Sequence, residues 1–292
     1  MKLKDGYTLM HEHVTIDLSR IKKDPDTHLD SFKETVEEFK DLYDYGVRNI
    51  VDVTNIGMGR DIEYVENVEK ETGINIISST GFYKEPFYPD FLYKKTEKEL
   101  TDIVVKEIEE GISGSNRKAQ IIGEIGTSKD KWTDEEMRVF NAMAEAQLKT
   151  NVPISTHTSL ATLGKEQVDF LLSKGIDPNK IIIGHMDLSM DIDKILELLS
   201  KGVNVGFDTI GKNSYAPDEF RVEAIKEIKN KGYINQIVLS MDITRKSHLK
   251  INGGLGYSHI FTSFIPKLKE SGLNEYDIDI LLRKNPRRIF ED

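Results

Sequence analysis

The feature that most limits how this chain can fold is an alternation. A short run rich in β-branched residues is followed by a longer amphipathic stretch, and the runs recur eight times. They are Tyr7–His13, Arg48–Val53, Ile74–Thr80, Ala119–Glu124, Val152–His157, Lys180–His185, Val203–Asp208 and Gln236–Asp242. Helical patterns between them cover Asp30–Tyr45, Asp61–Thr72, Glu97–Glu110, Asp134–Thr150, Leu163–Lys174 and Asp218–Lys231. Ile181-Ile182-Ile183 and Ile237-Val238-Leu239 offer no polar face, so they suit strands buried on both sides. Glycines stand where the helical patterns stop, at Gly46, Gly73, Gly111, Gly175, Gly202 and Gly232. A doubly wound open sheet also alternates, but it usually carries a phosphate-binding glycine turn after its first strand. Here the first run ends in histidines. Eight βα units in 292 residues predict a (β/α)8 TIM barrel. No Gly/Ser tract interrupts them, which predicts one domain over residues 1–292.

Composition narrows what such a barrel could serve. The formal net charge is −10, so a duplex-binding surface is not expected and nucleic acid is excluded as a partner. With no cysteine there are no disulfides, thiolate metal sites or cysteine nucleophiles. Met1-Lys2-Leu3-Lys4-Asp5-Gly6 shows no apolar secretory segment, and no run of ~18 apolar residues occurs. The expectation is a cytoplasmic protein, off the membrane, acting on a small-molecule substrate; a homodimer is the expected assembly.

The residues that close the runs carry the chemistry. His11 and His13 end the first, Glu124 the fourth, His157 the fifth, His185 the sixth and Asp242 the eighth. In a barrel these positions meet at the C-terminal mouth, where barrel enzymes place their active sites. His11 and His13 are two apart, so a strand sends both to one inward face, with Glu12 pointing outward and away from any ligand position. Each residue alone has a plain explanation: a packed histidine, a satisfied core carboxylate, a helix cap. Together they are harder to explain that way, because four of the seven histidines end predicted strands and an ionised carboxylate in a barrel needs a partner. Imidazoles and carboxylates suit zinc or a similar ion better than magnesium or calcium. Six ligands exceed one tetrahedral site, so two divalent ions sharing a bridging carboxylate and a hydroxide are expected. Such a centre hydrolyses.

His11-Glu12-His13, Ile122-Gly123-Glu124-Ile125-Gly126, Ser155-Thr156-His157-Thr158, Ile183-Gly184-His185-Met186-Asp187 and Leu239-Ser240-Met241-Asp242 resemble the metal motifs of the amidohydrolase superfamily. The likeness is strongest to the homology-protein branch of the phosphotriesterase-related family. It spans the chain, including Thr80-Gly81-Phe82-Tyr83 and Phe207-Asp208-Thr209-Ile210-Gly211-Lys212-Asn213-Ser214-Tyr215. The resemblance implies that His11, His13 and Asp242 hold the more buried ion and His157 and His185 the more exposed one. Glu124 would bridge them, where the best-known members carry a carboxylated lysine. It also implies a hydrolase of a lactone or ester, phosphorylated ones included; in a hydroxide-bridged centre Asp242 is expected to take up the proton. TatD-type nucleases share the ligand set, but their last motif reads Glu-Thr-Asp with a following proline, unlike Ser240-Met241-Asp242-Ile243. A metal-binding barrel without turnover is the other alternative.

Substrate contacts are expected from the loops. Six aromatics follow the third run, Phe82, Tyr83, Phe87, Tyr88, Phe91 and Tyr93, divided between a small satellite core and a pocket wall. Tyr83 is the first choice to face the metals. Lys212 follows the seventh run, and Arg245, Lys246 and Lys250 follow the eighth, where barrels often bind phosphate. Arg245 has the planar fork for it. His28, His248 and His259 are placed in loops or helices. Asp187, Asp191 and Asp193 are read as solvated loop and helix-cap residues. Gly206–Asn213 misses a phosphate-loop pattern because Asn213 replaces its Ser/Thr, and Gly253-Gly254-Leu255-Gly256 is a loop.

Overall fold

The computed structural model describes residues 3–112 and 114–291; Met1 and Lys2 of the N-terminal stretch lie outside them. Eight parallel strands follow one another around a nearly closed TIM barrel. They are β1 (Tyr7–Glu12), β2 (Val47–Asp52), β3 (Asn75–Thr80), β4 (Ile121–Thr127), β5 (Ile154–Thr158), β6 (Ile181–Ile183), β7 (Asn204–Phe207) and β8 (Ile237–Leu239). The helices between them are α1 (Phe32–Asp44), α2 (Ile62–Thr72), α3 (Glu97–Glu109), α4 (Asp134–Thr150), α5 (Gly164–Ser173), α6 (Ile192–Ser200) and α7 (Asp218–Asn230). Caps set their starts. Thr96 with Glu99 and Thr133 with Glu136 form reciprocal capping boxes on α3 and α4. Helix α6 escaped the sequence reading, although Asp191 caps it as expected by accepting the Lys194 N–H. His28 sits in a two-stranded ribbon of Ile16–Asp17 with His28–Leu29, not in a loop or helix.

Alternation along the strands sorts side chains into two cores. Leu9 joins the larger one between barrel and helices, and its neighbour Met10 joins a smaller one. Six strands meet in that smaller cluster through Met10, Val51, Ile77, Ile121, Ile182 and Val238, so it is the barrel interior. Ile289 and Phe290 of the last helix, with Leu3, close it from the N-terminal end. The apolar floor leaves the polar residues at the opposite end, which is where the predicted ligands lie.

Backbone ladders link β1 through to β8, but among the described residues none joins β8 back to β1. Side chains close that seam. The His11 N–H donates to Ser240 Oγ at 3.0 Å, and the Ser240 hydroxyl donates to Glu12 Oε1 at 2.8 Å. The Met241 N–H reaches the same oxygen at 2.7 Å, and the Ile243 N–H reaches Oε2 at 3.1 Å. Glu12 does leave the ligand face, as its strand position requires, but it points into this buried seam. Burial pushes its carboxyl up to about 6 against the pull of the three donors. Glu12→Ala would strand all three without an acceptor. The expected loss is about 3–5 kcal/mol of unfolding free energy, against roughly 1 for Ser240→Ala, read from urea unfolding of the metal-free protein. An unchanged urea midpoint in Glu12→Ala would contradict this account of the seam.

Candidate metal centre

The six predicted ligands converge, though not all from strand ends. Strands β6 and β8 stop at Ile183 and Leu239, short of the predicted His185 and Asp242, while β4 runs three residues past Glu124 to Thr127. His185 and Asp242 instead sit in exit turns with φ of 60° and 52°. Left-handed backbone is uncommon for either residue and concentrates at functional sites. Glycine precedes two ligands for a steric reason. A Cβ on Gly123 or Gly184 would lie 2.4 Å from the carbonyl oxygen of Ser155 or Thr156 on the neighbouring strand.

Glu124 is the centre of the cluster. Its Oε1 lies 3.6 Å from His13 Nε2. Its Oε2 lies 3.4 Å from His11 Nε2, 3.5 Å from His185 Nε2 and 3.0 Å from His157 Nδ1. Asp242 Oδ1 faces His13 Nε2 at 3.3 Å and His11 Nε2 at 3.8 Å. Two triads bring their donor atoms within 4.8 Å of one another: His11, His13 and Asp242, and His11, Glu124 and His185. Buried His11 Nδ1 and Nε2 and His13 Nε2 have no hydrogen-bond partner. His11 Nε2 and His13 Nε2, both turned to Glu124 and Asp242 and left unbonded, are what a cation would use, so the residues present fit divalent metal.

The unaimed nitrogens are held from behind. Thr54 Oγ1 donates to the Thr15 carbonyl and so accepts from His13 Nδ1 at 2.8 Å, leaving Nε2 for the centre. Asp208 takes His185 Nδ1 at 2.8 Å and the His185 N–H at 2.9 Å, and its other oxygen lies 3.5 Å from His11 Nδ1. It thereby orients a histidine of each triad, a role its place after β7 did not reveal. Behind it, fully buried Arg221 binds Asp187 at 2.6 Å, Thr209 at 2.7 Å and Asp218 at 2.9 Å. Asp187 is therefore part of a buried network, not a solvated loop residue.

Burial would raise both carboxylates, yet the facing imidazoles of His11 and His157 hold Glu124 well below the usual range, and Lys212 and His13 do the same for Asp242. Burial would lower His13, but Asp242 and Glu124 carry it up to about 9; Asp208 likewise carries His185 well up. Desolvation takes His157 down to about 4. Without metal, protons do the neutralising.

A cavity of about 270 Å3 opens over the cluster, and His13, Glu124, His157, His185 and Asp242 contribute to its wall. Tyr83 and Phe87 line it, with the Tyr83 hydroxyl 3.3 Å from His157. Phe82 and Tyr88 are buried while Phe91 and Tyr93 are exposed, so the aromatic run is divided between core, wall and surface. Lys212 and Arg245 line the cavity, Lys212 against Asp242 and Arg245 against Asp24 at 2.6 Å. Lys246 lies outside that lining and pairs with Asp30 at 2.6 Å; Lys250 pairs with Asp41 at 2.7 Å. Sequence reasoning missed Lys22, Lys84 and His248 in the wall. Their loops have no periodicity to give them away. His248 Nδ1 accepts the Thr244 N–H at 3.3 Å, which leaves Nε2 as the donor.

Residues 2–290 match the phosphotriesterase family. The chain is 46% identical over 286 residues to the phosphotriesterase homology protein of Escherichia coli, covering 98% of each. The structure of that protein, complexed with phosphate in its active site, superposes with a TM-score of 0.96 over 98% of this chain and 99% of the other. An aryldialkylphosphatase of Saccharolobus solfataricus is 34% identical over 98% of this chain and 95% of its own length. A lactonase from Listeria monocytogenes is 30% identical with a TM-score of 0.92, covering 98% of this chain and 94% of that one. These relatives do not favour the nuclease alternative. Among the described residues no helix is long and apolar enough to cross a membrane.

Because His13 and His185 hold protons at neutral pH when no metal is bound, metal uptake must displace them. Zinc added to the metal-free protein at pH 7.5 should release protons, and apparent affinity should rise as pH is raised toward 9. Titration calorimetry in two buffers of different ionisation enthalpy measures this; no proton release would contradict the ligand assignment. Asp208→Ala should weaken zinc binding roughly 10- to 100-fold by freeing His185 and His11 to turn, measured by chelator competition.

Proposed function

The chain belongs to the phosphotriesterase family, and from that premise we propose that this hydrolase works through two divalent ions, zinc by its donor set, on a lactone or ester that includes phosphorylated substrates. The observation that carries the reading is Glu124. One carboxylate turns Oε1 to His13 and Oε2 to His11, His157 and His185, the placement a bridging ligand needs. His11, His13 and Asp242 would hold the inner ion, and His157 and His185 the outer one. Bound there, the ions would supply an activated water and a Lewis acid for the carbonyl or phosphoryl oxygen.

The chain's own residues divide the remaining work. Asp242 is ionised at neutral pH and is placed to take up the water's proton; Lys212 on its Oδ2 keeps the carboxylate charged until then. The Tyr83 hydroxyl, directed at His157, reaches a substrate oxygen at the outer site. Lys212 and Arg245, joined by Lys22 and the Nε2–H of His248, form an electropositive end of the cavity suited to phosphate. Lys246, turned outward to Asp30, drops out of this set. The Listeria lactonase and the phosphate-bound Escherichia coli protein support both halves of the reading.

Lactone and aryl-ester panels with the zinc-loaded protein test it, with Glu124→Gln as the inactive control. Asp242→Asn should lower kcat at least ~100-fold in preparations whose metal content matches the wild type. Full activity with intact metal would remove Asp242 as proton acceptor. Arg245→Ala should raise KM for a phosphorylated lactone roughly 10- to 150-fold and spare the unphosphorylated analogue. An equal effect on both would show that this end does not read phosphate.

A further inference from the structure

The cations on one side of the mouth have carboxylates beside them. Lys212 faces Asp242, Arg245 faces Asp24 and Asp26, Lys246 faces Asp30 and Lys250 faces Asp41. They follow β7 and β8. Lys84 lies across the barrel, after β3, and its circumstances differ. It lines the same cavity and is half-buried, yet among the described residues its Nζ forms no ion pair. Its one hydrogen bond is to Ser159 Oγ at 3.0 Å. Lys22 also lacks a carboxylate and its pKa is likewise lowered by burial, but it is more exposed than Lys84, and among the described residues no hydrogen bond orients its ammonium.

Lys84 is held in place rather than free to swing into water. Its carbonyl accepts the Phe87 N–H at 2.8 Å, and the preceding carbonyl, of Tyr83, accepts the Gly126 N–H at 2.6 Å. Ser159, on the loop after β5, gives its hydroxyl proton to the Thr127 carbonyl at 2.6 Å, so a lone pair is left for the ammonium. One N–H of Lys84 is thereby used and two remain. Burial pushes the ammonium's pKa down, and distant Glu136 and Glu124 only partly offset it. A desolvated cation with spare donors, fixed at the wall of a substrate cavity, is complementary to an oxyanion.

We propose that Lys84, oriented by Ser159, forms a second anion subsite that takes a carboxylate on the part of the substrate opposite the Lys212 and Arg245 end. The substrate would then carry acidic groups on both sides of the scissile bond. This inference deepens the hydrolase reading and rests on it, because the reacting group lies on the metal centre between the two ends.

The test uses the full-length zinc-loaded protein and dicarboxylates from malonate to adipate, with acetate as the single-acid reference, in titration calorimetry. At least one diacid should bind tenfold or more tightly than acetate, since one carboxylate can sit on the metals while the other reaches Lys84. Lys84→Gln should abolish that advantage, Ser159→Ala should reduce it several-fold, and Lys246→Ala, outside the cavity, should leave it intact. If Lys84→Gln does not fold, the Ser159→Ala and wild-type arms decide. A diacid advantage that is absent in wild type, or that survives the cavity variants, overturns the subsite. Failure of the hydrolase reading looks different: the protein would hold no zinc, or would bind diacids through Lys84 and hydrolyse nothing.

Discussion

A parallel barrel has to close between its last strand and its first, and in this chain that closure falls to one buried carboxylate. Where the ladder between β8 and β1 would run, Glu12 gathers Ser240, Met241 and Ile243. The consequence reaches the chemistry, because Glu12 stands between His11 and His13 while its partners stand around Asp242. His11, His13 and Asp242 are therefore fixed to each other by the same contacts that close the fold. The left-handed turn at Asp242 needs such fixing: a free loop would relax it, and the carboxylate would leave the histidines.

The second constraint is electrostatic. Four histidines and two carboxylates, all buried or nearly so, would be ruinous as isolated charges. The molecule makes them tolerable by setting acids within 4 Å of bases and by adding Asp208 and Lys212 behind them. A metal-free cluster so arranged keeps its shape with protons in place of cations. The buried Arg221, tied to Asp187, Thr209 and Asp218, extends this compensation outward and stiffens the wall that carries His185.

Much of this was legible in the residues. The apolar runs and intervening amphipathic stretches have periods that only a few folds satisfy, and the barrel order follows from them. The convergence of the candidate ligands was legible because a strand's alternation puts His11 and His13 on one face and because the same residue types recur at later runs. What escaped reading has a common cause. Exit turns follow from local sterics, as at Gly184, where a Cβ would strike the Thr156 carbonyl on β5, and the strands predicted to reach His185 and Asp242 end earlier. Asp208 and Lys84 act through partners far away in sequence, and Lys22 and His248 lie in short irregular segments, so no periodicity marks these positions. Arg245 and Lys246 are adjacent and alike in charge, yet one lines the cavity and the other faces Asp30; only the turn between them decides which.

The division of labour within the barrel also explains why family membership does not by itself fix a substrate. The candidate ligands sit on strands or on the first turn beyond them, pinned by cross-strand bonds that tolerate little change. The cavity's cations sit on loops after β1, β3, β7 and β8, and each is tuned by whether an acid stands beside it. Arg245 is tempered by Asp24 and Asp26, Lys212 by Asp242, and Lys84 by a hydroxyl and the Tyr83 ring, with no acid beside it among the described residues. An ammonium opposed by a carboxylate has already spent part of its attraction, whereas one held by a hydroxyl keeps its charge for a ligand. Two chains with the same metal centre can thus select different substrates by exchanging the acids around these loops, with no change to a ligand and no disturbance of the seam that closes the barrel.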